Sequence, residues 1–385
     1  MAIPVIGVAL QPSFWLWVAV YSIVALSLNL EAGITGIPNF GKHLPVIIGA
    51  VVAAALPGYL GVALLPESLK QQLASTTGGS LNYAGEYNAF IAEALTKYYA
   101  AHPGLAAGLF LLVLVVAAAL GAVVGWLAAY PAARLRADYL AILLLAAAEA
   151  TLRVAYNAPQ LGGTLGLTVP NTLVWLDSML RGAGVPHAHT VSVLLITLLI
   201  AALTYAYMEL LARAPVGRLL KSIRENEVAA ESLGKDVARI KLKTLMVGSA
   251  LAALAGALFM TWSLGWIATT YNRVSWTFWV WAMMILGGMA NNLGVLLGVF
   301  TLVLVRQMIT YNKTAIAPYL PFDPAWLDYL VLGSLLVILL MVRPQGLLPE
   351  KTTYPLPRKR LEEKAQGLRA GGAQPAVEVE GGSKV

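Results

Sequence analysis

Residues 215 to 243 read PVGRLLKSIRENEVAAESLGKDVARIKLK, a charged island between long apolar runs at 189 to 213 and 244 to 262. A membrane-crossing helix needs roughly 20 apolar residues, so both runs are long enough to span and the island is the loop that joins them. The island's own pattern predicts a helix. Ser222 and Glu225 form an S-x-x-E capping box, and Gly234 supplies the stop. Between them Ile223, Ala230 and Leu233 share one side, while Arg224, Glu225, Glu227 and Glu231 face elsewhere. The reading is one amphipathic helix of about three turns. A plain solvated connector would carry similar charges, so the rest of the chain decides what the helix is for.

Composition points the same way. The 385 residues are 59% hydrophobic and 12% charged, with a mean hydropathy of +0.73, whereas soluble domains carry about 25% charged residues. With zero cysteines, disulfides, thiolate metal sites and cysteine nucleophiles are excluded. The net charge of +7 does not by itself indicate nucleic acid, because in a membrane chain the placement of Lys and Arg matters more than their sum. The N-terminus lacks a basic region before its first apolar segment, so that segment is expected to stay.

Further apolar segments lie near 12 to 30, 44 to 65, 105 to 129, 138 to 156 and 327 to 342. The run from 275 to 309 is too long for one span, and Gly287-Gly288 with Asn291-Asn292 divides it in two. The prediction is an all-α polytopic membrane protein of about nine transmembrane helices, because lipid leaves no water to satisfy open backbone. Placing the C-terminus in the cytoplasm and the N-terminus outside puts 19 of the 26 Lys and Arg residues in the loops around 31–43, 130–138, 213–243 and 343–385. That is the positive-inside bias. The transmembrane domain is expected over 1–349, with an outer insertion at 67–104, a cytoplasmic loop at 215–243 and a polar, disordered tail at 350–385.

The segment GIPNFGKH, Gly36 to His43, nearly matches a phosphate-binding loop, but His43 stands where Ser or Thr is required and the context joins two membrane spans. His43, His102, His187 and His189 show no metal-binding spacing and are expected to be unliganded surface residues, and no catalytic constellation is present, so no enzyme is predicted. Glu149 and Arg153, four apart inside a span, can pair with each other or line a pathway. Glu209 and Arg306 sit nearer helix ends, where snorkelling is expected. The glycine breaks are the other pathway candidates: Gly36 and Gly41, Gly162 and Gly163 with Thr164, and Gly287 and Gly288. Close packing by small residues is the competing explanation.

Several stretches together resemble the LivM-like permease subunits of branched-chain amino-acid ATP-binding-cassette importers. They are NLEAGITGIPNFGK (29–42), RLRADYLAILLLAAAEATLR (134–153), GGTLGL (162–167), ILGGMANNLGVLLG (285–298) and RPQGLLP (343–349). In the opening stretch Arg224, Glu225, Glu227, Ala229, Ala230, Glu231 and Gly234 are similar to the family's coupling-loop pattern, with Leu233 just before the glycine. The chain departs from that pattern at Lys42, where many members carry His, at Ala137 and at Asn291-Asn292. The resemblance implies a LivH-like permease partner, two cytoplasmic ATPase subunits that hold the ATP and Mg, an external substrate-binding protein, no cofactor in this chain, and a place in the cell membrane. Permeases for urea or short amides, and an ATP-independent secondary transporter or channel, are the alternatives.

Overall fold

A computed structural model describes residues 5–350 apart from 78, 80, 133, 134, 136, 314–316, 320, 322, 324, 325 and 344. The tail beyond Glu350 and the cations Arg134 and Arg136 therefore lie outside the described residues.

Among the described residues the elements are helices apart from one two-residue strand pair. In order come α1 (Pro12–Leu28), α2 (His43–Leu64), α3 (Glu67–Thr76), α4 (Asn88–Ala101), α5 (Pro103–Ala132) and α6 (Ala137–Asn157). β1 (Leu167–Thr168), α7 (Val174–Gly182), α8 (Ala188–Arg213), α9 (Pro215–Glu225), α10 (Glu227–Ser232) and α11 (Val237–Ser263) follow. The last elements are β2 (Gly265–Trp266), α12 (Trp279–Gly287), α13 (Asn292–Tyr311) and α14 (Trp326–Val342). Two stretches of wider π-helix, Asn29–Ile34 and Val274–Phe278, extend α1 and lead into α12. Among the described residues seven helices are long and apolar enough to cross a membrane, at Pro12–Ile34, His43–Leu64, Pro103–Pro131, Asp138–Asn157, Ala188–Arg213, Val237–Ser263 and Asn292–Tyr311. The molecule is thus an all-α, multi-pass membrane protein. The run from 275 to 309 does break where its glycines and asparagines stand, between α12 and α13.

The middle of the bundle is α11, packed against α2 and α5. Its buried face is mostly small: Gly248, Ala252, Ala253, Ala255, Gly256 and Ala257. Lipid gives no hydrophobic drive for helix association, so small residues that let backbones approach are what hold such a bundle. A Cβ on Gly49 of α2 would overlap the Ala253 carbonyl oxygen, and one on Gly125 of α5 would overlap that of Leu245. Outward faces are the reverse. Leu111 and Val115 of α5, Ile142 of α6 and Leu199 and Leu203 of α8 are each at least 60% exposed, as lipid-facing side chains should be.

One end of the bundle holds the α9–α10 loop. The other is reached by α11 after about 40 Å and holds β1, β2 and the insertion. There β1 pairs antiparallel with β2, and Trp266, Tyr271 and Trp276 stack in series, their ring centroids 5.2 Å and 5.8 Å apart. The insertion is two helices, α3 and α4, clasped to the strand pair. Asn88 accepts from the Thr168 amide at 2.6 Å, and the Tyr83 hydroxyl donates to the carbonyls of Ala54 and Thr168. Burial pushes the Tyr83 hydroxyl above the usual phenol range, so it stays a donor.

The opening stretch folds differently from its reading. It is two helices, not one starting at Ser222. Ser222 lies inside α9, with its Oγ turned back to the Leu219 carbonyl, because Pro215 at the first position starts the helix about two turns earlier. Asn226 is the real cap of the second helix, its side chain accepting from the Ala229 amide at 3.0 Å. Gly234 ends that helix as read. Its φ of +76° allows Lys235 to donate back to Ala230 and Gly234 to Glu231, which is a Schellman closure. The apolar face is Ile223, Ala230 and Val237; Leu233, expected on it, is 79% exposed.

Replacing Gly49 by Val should lower the thermal stability of the detergent-purified protein by the few kcal/mol typical of overpacking against backbone. Gly108→Ala, at a site with nothing within 4 Å of the new Cβ, should be neutral or stabilising by up to about 1 kcal/mol. Thermal unfolding followed by circular dichroism compares the two directly.

Candidate functional site

At the C-terminal end of α1 the helix widens into the π-turn and then unravels through residues 35–42 before α2 begins. This break is built round an ion pair. Lys42 Nζ lies 2.8 Å from Glu31 Oε1, and both side chains are 0% exposed. Asn39 Nδ2 donates to the other Glu31 oxygen at 2.9 Å, and Lys42 also donates to the Gly248 carbonyl of α11 at 3.3 Å. A Cβ at position 248 would overlap the Glu31 carboxylate, so the glycine there makes room for the acid. The Ile37 amide donates to the Glu31 carbonyl, Trp281 Nε1 donates to the Asn39 carbonyl, and Phe40 stacks on the Trp281 ring at 4.7 Å.

Depth makes this notable. Gly248 is eleven residues into α11, about 17 Å from its start, so non-helical backbone stands well inside the bundle. Such backbone survives at membrane depth only when buried in protein or lining a cavity. Here it is buried.

The α9–α10 loop plugs into the same break. Arg224 Nη1 donates to the Gly33 carbonyl at 2.5 Å, and Gly36, with φ of +80°, packs against the aliphatic part of Arg224, which a Cβ would meet at 2.9 Å. Lys241 of α11 pairs with Glu227 of α10 at 2.6 Å, and Arg239 donates its amide to Asp236 to cap α11. Glu225, Glu227, Ala229, Glu231 and Gly234 are exposed, and Ala230 is buried. Val228 and Leu233 present apolar side chains to the outside, 71% and 79% exposed.

The remaining candidates scatter. Gly41 abuts the Leu144 backbone of α6, Gly287 the Gly294 carbonyl, and Gly288 the Leu348 carbonyl; each is a close backbone approach. The 345–348 segment is tied to α12 through Leu347 and Leu348 amides donating to Leu286 and Gly287. Asn29 joins this turn to the first break by accepting from the Ala290 amide at 2.8 Å. Gly162, Gly163 and the exposed Thr164 form a turn just before β1, at the opposite end from the loop. Glu149 and Arg153 face each other at 3.6 Å, and Arg273 approaches the second Glu149 oxygen at 3.9 Å.

Two expectations need correction. Arg306 does not simply snorkel: it turns inward, donating to the Tyr21 hydroxyl at 2.5 Å and the Ser275 hydroxyl at 3.2 Å, with its guanidinium 5.4 Å from the Trp279 ring centre. Aromatic faces and hydroxyls satisfy the cation closer than the interface does. Nor are all four histidines at the surface. His43 is buried against Thr277, and His189 Nδ1 lies 2.8 Å from Asp177 Oδ2. Burial pushes the Asp177 carboxyl up, but hydrogen bonds from His189, Ser192 and Asn171 prevail and hold it below the ordinary carboxylate range.

Comparison with known proteins now adds its weight. The family model described as branched-chain amino acid transport system / permease component matches residues 13–340. The chain belongs to this family. It is 38% identical over 352 residues to a probable branched-chain amino acid transport permease protein LivM of Methanocaldococcus jannaschii, covering 90% of this chain and 96% of that one. It is 31% identical over 289 residues to the high-affinity branched-chain amino acid transport system permease protein LivM of Escherichia coli, covering 70% of this chain and 63% of that one. The LivM of Salmonella typhimurium matches equally. No solved structure matches.

In this permease the buried pair of Glu31 and Lys42 is what sequence reading passed over. Its signal was present: an acid at the end of one apolar run and a lysine eleven residues later at the start of the next, with Gly and Pro between. Lys42, one of the cations in the stretch 31–43, is wholly enclosed and paired.

Lys42→Met should destabilise the purified permease by about 3–5 kcal/mol, because it strands a buried carboxylate. Adding Glu31→Gln should recover most of that loss. A double-mutant cycle on thermal stability in detergent measures both, and simple additivity of the two changes would contradict the pairing.

Proposed function

We propose that the protein is the membrane-spanning permease subunit of an ATP-binding-cassette importer for branched-chain amino acids. It contains no ATPase of its own on this reading; two cytoplasmic partner subunits bind ATP and Mg, a LivH-like permease completes the pore, and an external binding protein delivers substrate. The chain sits in the cell membrane with nine crossings, N-terminus outside and C-terminus inside. Besides the seven long helices, the two further crossings are the run from Val274 to Gly287 and α14.

The observation that supports this best is the bond from Arg224 to the Gly33 carbonyl. It links the α9–α10 loop to the broken inner end of α1 across 191 residues of sequence. A coupling element needs two faces, one for the motor and one for the bundle. Exposed Val228 and Leu233, ringed by Glu225, Glu227 and Glu231, offer the first: an apolar knob with charges to fix register, the chemistry of helix-in-groove docking. Arg224 at the Gly33–Gly36 turn offers the second. Force applied to α10 reaches α1 through Arg224 and α11 through the pair of Lys241 and Glu227.

Energetically, ATP binding by the partners can shift the permease between outward and inward access only as far as it discriminates between the two states. The loop is where that discrimination enters. On this reading the path runs past the partly exposed Glu149 and Arg153 and the turn at Gly162, Gly163 and Thr164, whereas Gly36, Gly41, Gly287 and Gly288 serve close packing.

In vesicles carrying the full importer, Arg224→Ala, Glu231→Lys and Gly234→Pro should each reduce substrate-stimulated ATP hydrolysis by at least tenfold while the chain still inserts into the membrane. Wild-type coupling in all three would remove the loop from the mechanism. Amino-acid uptake that proceeds without ATP would instead favour a secondary transporter.

A further inference from the structure

Glu149 sits in α6 about 17 Å from its Asp138 end and about 12 Å from Asn157, the middle of a membrane helix by rise alone. Its two oxygens face two different guanidiniums: Oε1 lies 3.6 Å from Arg153 and Oε2 3.9 Å from Arg273. Neither approach is a hydrogen bond at that length. The Arg153 and Arg273 side chains are 72% and 52% exposed, and that of Glu149 is 28% exposed. Arg273 immediately precedes the Val274–Phe278 turn, so the three charged groups open toward the strand-pair end of α6, with a formal excess of one positive charge.

Apolar side chains lie nearby: Leu165, in a turn that packs against α6, and Ile267, bordering the 268–271 turn that also packs against it, are 93% and 51% exposed. Planar guanidiniums offer donors in a fork that matches a carboxylate, and Glu149 offers an acceptor for an ammonium. The two signs lie side by side.

We propose that Arg273, Arg153 and Glu149 form a substrate station that grips the zwitterionic end of an apolar α-amino acid. The carboxylate goes to the two arginines, the ammonium to Glu149, and the side chain to Leu165 and Ile267. This deepens the permease reading and rests on it, because it names the substrate class from charge: urea and short neutral amides bring no anion for the excess cation. Arg273 is the residue that makes the difference. With Arg153 alone the cluster would be a self-neutral i,i+4 pair; the second arginine leaves a charge for the ligand.

The test is binding of radiolabelled leucine to the purified importer complex without the external binding protein, alongside ATP-driven uptake by the same complex in vesicles. Wild type should bind leucine saturably, and leucinamide, which lacks the carboxylate, should compete at least tenfold less well. Arg273→Gln and Arg153→Gln should weaken leucine binding tenfold or more and narrow the gap between leucine and leucinamide; Arg273→Lys, which keeps the charge but loses the fork, should fall between wild type and Arg273→Gln. Equal competition by leucine and leucinamide, or wild-type binding by Arg273→Gln, overturns the station. So does loss of the second permease subunit from the Arg273→Gln complex, which would make the cluster a subunit contact. ATP-driven leucine uptake without such binding removes the station and leaves the permease reading standing, whereas absence of both removes both.

Discussion

The interaction on which the architecture depends is the enclosed pair of Glu31 and Lys42. A membrane interior tolerates unravelled backbone only if every polar group finds a protein partner, and residues 35–42 are unravelled. Glu31 anchors the far side of that break with its carbonyl and its carboxylate together, receiving Ile37, Asn39 and Lys42. Lys42 in turn ties the break to α11 through Gly248. Two opposite charges so deep offer little net stability compared with apolar residues of equal volume. What they do provide is a fixed geometry, because neither partner can leave without stranding the other.

That geometry explains why the break and the charged loop meet. Where the helix ends at Ile34, the Gly33 carbonyl is left without a helical successor, and Arg224 supplies the donor. The loop is therefore continuous with the bundle's interior, while its exposed apolar side chains face the other way. The rest of α9 and α10 is held by a small core in which Ile223 and Ala230 pack with Val237 of α11, so the loop is fastened to the central helix as well.

Helix class, the positions of the long apolar segments and the division at Gly287-Gly288 could be read from the sequence because lipid imposes a single solution on an apolar run of about 20 residues. Gly234 was equally legible, since a helix stop needs only local backbone. The capping box at Ser222 misled for the opposite reason: two valid local starts compete there, and Pro215 and Asn226 win. Leu233 was assigned to a buried face because helical spacing was extended across a junction the pattern does not mark. Glu31 and Arg306 could not be placed, since their partners come from other segments: Lys42 and Gly248 for one, Tyr21, Ser275 and Trp279 for the other. Distant pairing of this kind has no period. The likeness to LivM permeases was visible as ordered short motifs, each of them weak alone.

The clasp between the insertion and the strand pair has a mechanical meaning. Asn88 and Tyr83 bind the backbone of Thr168, Thr168 pairs with Gly265, and Gly265 begins two residues after α11 ends. The same helix starts immediately after the Asp236 cap that closes the α9–α10 loop. That helix is one uninterrupted element joining the α9–α10 loop at one end to the strand pair and its clasped insertion at the other, so insertion and loop are tied together through the middle of the bundle.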